Sequence, residues 1–269
     1  MTMIAALPMY DLPELKETTD AFWTGLRSHI SAAGVVGLPE ELTRPSDPYA
    51  LWRSRDLVFA QTCGYPLTHD LKDQVRYLAT PCFDAPGCEG STYRSLIIVR
   101  EGDAATKGAD LAGRIAAYNS KDSQSGCNIL KHYLAGQGIT NGLLREALES
   151  GAHRQSAKLV KQGLADFCAV DCVTWTLITA VAPAEVEGLR VLDLTAPAPC
   201  LPYITGLERP VEDVAALRSG LAAAFSDPAL EEIRERMFLS SIAVLDEDEY
   251  DVILDQELAA KLSGWAQVA

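Results

Sequence analysis

Two short polar turns carry the residue types best suited to gripping an anion. The first, Asn119-Ser-Lys-Asp-Ser-Gln-Ser-Gly126, sits between a strand-like run, Gly113-Arg-Ile-Ala-Ala-Tyr118, and an apolar helix-like run from Cys127 to Leu134. Backbone N–H groups in a helix's first turn have no intrahelical partner, the helix dipole favours negative charge there, and serine hydroxyls add donors. Ser123, Ser125 and Gly126 are therefore read as an anion-holding turn. A second junction, His153-Arg-Gln-Ser156, opens another helix-like run and brings His153 and Ser156 into the set. Either junction alone reads as an ordinary N-capped helix start. Together they point to one anionic ligand held from two sides.

The elements that must position these turns alternate along the chain. Strand-like runs are expected at Ile4–Leu7, Leu57–Gln61, Val75–Ala79, Ser95–Val99, Arg114–Tyr118, Phe167–Val170, Arg190–Asp193 and Ile242–Val244. Helix-like stretches lie at Ala21–Ala32, Asn128–Ala135, Arg154–Gly163, Val211–Phe225 and Tyr250–Leu262. Such alternation predicts an α/β protein with mainly parallel sheet. Two strands run straight into irregular segments: Tyr93–Arg100 into the charged Glu101–Asp110, and Leu189–Thr195 into the proline-rich Ala196–Pro202. Read as crossings, they divide the chain into a discontinuous first lobe, 1–96 with 196–269, and an inserted second lobe, 97–195.

Composition limits the function. At 269 residues and 48% hydrophobic content the chain can bury a full core. A net charge of −14 argues against nucleic acid and anionic membrane surfaces as partners. Any bound anion must then be gripped by local dipoles and hydrogen bonds against an unfavourable overall field. No run approaches the roughly 20 apolar residues of a membrane span. The start, Met1-Thr-Met-Ile-Ala-Ala-Leu-Pro8, shows no basic, apolar and cleavage regions of a signal peptide. The chain as it stands reads as cytoplasmic, or as periplasmic if it is the trimmed form of an exported protein. Seven cysteines (63, 82, 88, 127, 168, 172 and 200) have no zinc spacing and sit mostly in apolar surroundings, which favours reduced thiols. In an exported chain Cys63, Cys82 and Cys88 are close enough in sequence to pair. Neither a metal nor a cofactor is expected.

Several fragments, in order, resemble the phosphate/phosphonate substrate-binding proteins that serve ABC importers. They are Ala6-Leu-Pro-Met-Tyr-Asp11, Gln61-Thr-Cys-Gly-Tyr-Pro66, Gly87-Cys-Glu-Gly-Ser-Thr-Tyr-Arg-Ser95, Ala117-Tyr-Asn119 with Ser123–Gly126, Ser150-Gly-Ala-His153 with Ser156, and Gly163–Asp171. The resemblance implies the type II periplasmic-binding-protein fold, with two α/β lobes, two hinge strands and a ligand buried in the cleft on which the lobes close. It maps the anion-binding turn onto Ser123, Ser125 and Gly126, the second-lobe histidine onto His153 with Ser156 a turn on, and the strand-end carboxylate onto Asp171. Tyr10 and Tyr65 take first-lobe positions that reach the cleft, with Tyr93 a weaker candidate.

Each assignment has an ordinary alternative. His153 can donate to an anionic oxygen or be a satisfied histidine at a helix start. Asp171 can meet a protonated phosphonate or a ligand amine, or cap the helix Cys172–Val181. Tyr10 and Tyr65 suit a ligand with an organic group beside its anion, yet aromatics are common in turns. Arg154 reads as a solvated rim charge. The leading expectation is a non-catalytic binding protein for a phosphonate, phosphate or related oxyanion, partnered by an ABC transporter permease or standing alone in the cytosol. The alternative is an enzyme on the same fold, chorismate-dehydratase-like or thiamin-pyrimidine-synthase-like, using His153 or Asp171 as general base. Against it stand the absence of a Gly-rich nucleotide loop and of a Gly-x-Ser-x-Gly elbow, and Cys63 has only Tyr65 nearby in sequence. A transcriptional-regulator effector domain is disfavoured, since nothing before Ile4 can form a helix-turn-helix.

Overall fold

The computed structural model describes residues 3–44 and 46–265. Residues 1, 2, 45 and 266–269, all within the expected first lobe, lie outside the described residues. The sheets are built from β1 (Ile4–Ala6), β2 (Leu57–Gln61), β3 (Val75–Phe83), β4 (Ser95–Arg100), β5 (Ile115–Tyr118), β6 (Glu146–Glu149), β7 (Phe167–Asp171), β8 (Leu189–Leu194), β9 (Tyr203–Gly206) and β10 (Leu239–Ala243). The main helices are α1 (Lys16–Ala32), α2 (Ile129–Gly136), α3 (His153–Lys161), α4 (Cys172–Val181), α5 (Val211–Ser226) and α6 (Val252–Leu262). The chain divides into two compact units, one within Met1–Asp84 and Pro199–Glu249, the other within Ala85–Ala198 and Tyr250–Ala269.

In the first unit the strand order is β1-β2-β9-β3-β10. β1 and β2 pair parallel, and β9 runs antiparallel to both β2 and β3. β2 is buried at every position, as its unbroken run Leu-Val-Phe-Ala-Gln requires of a strand covered on both faces. α1 packs on α5 so closely that a Cβ on Gly220 would lie 2.6 Å from the Ile30 Cα, so glycine is what permits the approach. Phe59 stacks on Trp23 and tilts against Tyr203, filling the space between sheet and helix.

The second unit has the order β6-β5-β7-β4-β8. β6, β5 and β7 are parallel neighbours, while β4 runs antiparallel to β7 and β8. Four of the five strands therefore point one way, and the reversed strand is β4. The segments expected to be crossings are thus regular sheet members: Leu96 of β4 faces Leu194 of β8, and Val99 faces Arg190.

The chain changes unit after Asp84 and after Ala198, and once more after Glu249. That last change departs from the expected first lobe, which took in 196–269. The reason is where α6 finds a core. Ala260 and the following Trp265 are buried with Ile97, Tyr118, Leu134 and Phe167, and the Trp265 indole donates to the Ile139 carbonyl at 2.8 Å. The apolar spacing of α6 is plain in the sequence; which sheet it covers is not.

Candidate functional site

Because β6, β5 and β7 are parallel and adjacent, their carboxyl ends share one edge of the second sheet. Open α/β sheets hold ligands at such edges. Here that edge gathers the predicted residues. Asn119–Gly126 leaves β5, Ser150–Ser156 leaves β6, and Asp171 closes β7.

The turn after β5 is wound more widely than an ordinary helix start. The Asn128 N–H reaches back five residues to the Ser123 carbonyl at 2.9 Å, and α2 continues from there. Such wide turns inside helices recur at functional sites. Ser123 is the N-cap, its Oγ accepting from the Gly126 N–H at 3.1 Å. Gly126 is required by contact and not by backbone angle: an added Cβ would lie 1.9 Å from Asn119 Oδ1 and 3.1 Å from His153 Cε1. Asn119 Oδ1 is itself buried and makes no hydrogen bond among the described residues.

The two predicted junctions meet at a single hydrogen bond. Ser125 Oγ and His153 Nε2 are 2.7 Å apart, while His153 Nδ1 is 3.2 Å from the Ala169 carbonyl of β7. A carbonyl only accepts, so Nδ1 carries the proton and Nε2 accepts from the serine hydroxyl. Burial lowers the imidazole pKa to about 4, opposed by the bond to Ala169. His153 is therefore neutral at pH 7 and holds the Ser125 hydroxyl. It contributes no positive charge.

Ser156 and Asp171 have committed partners. The fully buried Ser156 hydroxyl bonds Ser150 Oγ at 2.7 Å, and Ser150 in turn reaches the Tyr118 carbonyl at 3.0 Å, so this pair fastens the end of β6 to the end of β5. Asp171 is 1% exposed and accepts from the Thr174 N–H at 2.9 Å as the N-cap of α4. Arg154, expected to be solvated, forms a two-point ion pair with Glu185 at 2.6 and 2.7 Å. Tyr93 is buried just ahead of β4.

Tyr10 and Tyr65 belong to the first unit. They follow the carboxyl ends of the parallel neighbours β1 and β2, the equivalent edge of that sheet. The buried Tyr10 ring meets Phe83 edge-on at 5.2 Å, and Tyr65 stacks on His69 at 3.8 Å. Sequence reasoning passed over His69, Asn119 and Ser150, and two serine and threonine hydroxyls. Thr62 Oγ1, beyond β2, and Ser95 Oγ, directly opposite Asp171, are buried and make no hydrogen bond among the described residues. Ser95 lies within one of the fragments quoted above, so it could have been found by asking which hydroxyls open a strand.

Comparison with known proteins identifies the fold and the family. No curated protein sequence matches the chain. Among solved structures, a binding protein component of an ABC phosphonate transporter from Pseudomonas aeruginosa superposes with a TM-score of 0.78 at 14% identity, covering 98% of this chain and 88% of that one. PhnD1 from Prochlorococcus marinus, solved in complex with methylphosphonate, gives 0.75 at 15% identity, over 98% and 99%. A Xanthomonas citri protein bound to ATP gives 0.70 at 17% identity, over 98% of each. At these identities the likeness establishes the fold, that of type II periplasmic binding proteins, including the aliphatic sulphonate binding protein SsuA of Escherichia coli. No helix among the described residues is long and apolar enough to cross a membrane. The family described as "ABC transporter, phosphonate, periplasmic substrate-binding protein" matches residues 54–250, which include Tyr65 and all six predicted residues of the second unit. With that span matched, the chain belongs to the periplasmic phosphonate substrate-binding family of ABC transporters, a family of binding proteins and not of enzymes.

Proposed function

We propose that this protein binds a phosphonate, or a closely related phosphate ester, through the carboxyl-end edge of its second sheet, and delivers it to an ABC transporter permease. The observation that carries the reading is the Ser125–His153 hydrogen bond, which joins two separate donor-rich helix starts at one point. Neutral donors suit a chain of net charge −14. Buried oxyanions are held by complete sets of hydrogen bonds as effectively as by ion pairs, provided each oxygen is satisfied. In this reading Ser123 and Gly126 shape the turn, Ser125 turns its hydroxyl proton from His153 to the anion, and the Ser95 hydroxyl is a further donor. Ser150–Ser156 and the Asp171 cap hold the edge in place.

Isothermal titration with methylphosphonate, inorganic phosphate, ATP and sulfate tests this directly. The expected result is a phosphonate or phosphate-ester preference, with ligand recovered unchanged by NMR. Ser125→Ala is expected to weaken binding about 10- to 100-fold, the range for a hydrogen bond to a charged group. Wild-type affinity in the Ser125→Ala, His153→Ala double variant would overturn the assignment of this edge.

A further inference from the structure

The second unit brings together two thiols that are 84 positions apart in sequence: Cys88 Sγ lies 3.5 Å from Cys172 Sγ. Cys172 is the first residue of α4 and fully buried, whereas Cys88 is partly exposed on the loop ahead of β4. Cys63 and Cys82, the cysteines close to Cys88 in sequence, fall in the other unit.

Loop and helix are fitted to one another here. Gly87 has φ +105°, and a Cβ on it would lie 2.9 Å from the Cys172 Cβ and 3.2 Å from its Sγ. The loop is pinned by the Cys88 N–H to the Ala85 carbonyl at 2.9 Å, and α4 by the Cys172 N–H to the Arg94 carbonyl at 3.1 Å.

We propose that Cys88 and Cys172 form a disulfide when the protein meets a disulfide oxidant. The family is periplasmic, and oxidising compartments are where such bonds form and persist. Closing from 3.5 Å to a bonded distance of about 2.05 Å needs a shift of roughly 1.5 Å, which a loop flanked by Gly87 and Gly90 can supply. The more exposed Cys88 reacts first. As a thiolate it attacks the oxidant's S–S bond, giving a mixed disulfide and releasing one thiol. Cys172 then loses its proton to solvent and attacks the Cys88 sulfur, forming the internal S–S bond and releasing the second thiol. Two S–H bonds are lost, one S–S bond is made, and the oxidant's disulfide is reduced to two thiols. The bond to Cys88 and burial both raise the Cys172 pKa, so the second step is slower than for an exposed thiol. The product fastens the start of α4, beside the Asp171 cap, to the entrance of β4.

The test treats the purified full chain with oxidised glutathione, blocks residual thiols, and maps the digest by mass spectrometry. A Cys88–Cys172 peptide is expected, with the remaining cysteines blocked as free thiols. Because the closed loop is long, the melting temperature should rise by roughly 5 °C on oxidation, return on reduction, and stay unmoved in Cys88→Ser. Gly87→Ala should slow the pairing at least several-fold. A glutathione adduct that persists on Cys88, a different cysteine pairing, or a pair still reduced under conditions that oxidise the denatured chain would each overturn the proposal. None of these readouts involves ligand, so the disulfide and the binding site stand or fall separately.

Discussion

A histidine held between a backbone carbonyl and a serine hydroxyl titrates differently from one that greets an anion directly. His153 has its pKa lowered to about 4 by burial, against an ordinary value near 6.5. Between those values the unfolded chain binds a proton that the folded protein does not. This contribution to stability is therefore complete above about pH 6.5 and is lost as pH falls toward 4. Melting temperatures measured from pH 7.5 down to 4.5 should fall more steeply for wild type than for His153→Gln; parallel curves would refute it. Affinity for methylphosphonate should likewise show no inflection near pH 6.5. Gly126 sets a second expectation. A methyl group there would strike Asn119 Oδ1, so Gly126→Ala should cost about 1–3 kcal/mol and lower the urea midpoint. The serines, Gly126 and His153 were legible because helix-start chemistry is local. That His153 would present an acceptor to Ser125 was not, because the tautomer is set by Ala169 on another strand.

Among elements, the turn after β5 depends on a helix far away in sequence. Gln124 Nε2 donates to Gln256 Oε1 of α6, Gln256 Nε2 donates to the Pro197 carbonyl, and Asn128 Nδ2 reaches both Gln124 Oε1 and the Ile253 carbonyl. All three side chains are buried, so removing Gln256 takes away the acceptor of the Gln124 amide and the donor to the Pro197 carbonyl, while Asn128 keeps its bonds to Gln124 and Ile253. Gln256→Ala should cost roughly 2–4 kcal/mol and, by loosening the Gln124–Asn128 turn, weaken methylphosphonate binding as well. Loss of stability with unchanged affinity would show that the turn does not need α6. Most strands could be read from apolar runs such as Leu57–Gln61. β6 was missed because it is an edge strand reading Glu-Ala-Leu-Glu, with no run to see. β9 was missed because it is short and follows prolines, although it lies buried in the middle of its sheet. Chain reversal at β4 left no local mark, since direction is decided by pairing.

For the whole molecule, the sign of its field gives an expectation opposite to that for a basic binding protein. With net charge −14, the protein repels an incoming anion until the ligand is within a few ångströms of its hydrogen-bond donors. Salt screens that repulsion while leaving short hydrogen bonds in place. Association rates for methylphosphonate, measured by stopped flow, should therefore rise modestly between about 10 and 150 mM salt. A steep fall would mean that a local cationic group does the capture. The family and the two-unit division both follow from patterns spread over the chain, but the boundary after Glu249 does not, since it turns on where α6 comes to rest. That resting place also sets a clock for biosynthesis. The second unit's core includes Ala260 and Trp265, and its polar network includes Gln256. A ribosome must release the chain past Trp265 before that core can close, so the second sheet stays without its full packing until α6 has emerged, well after its last strand, β8, has been made.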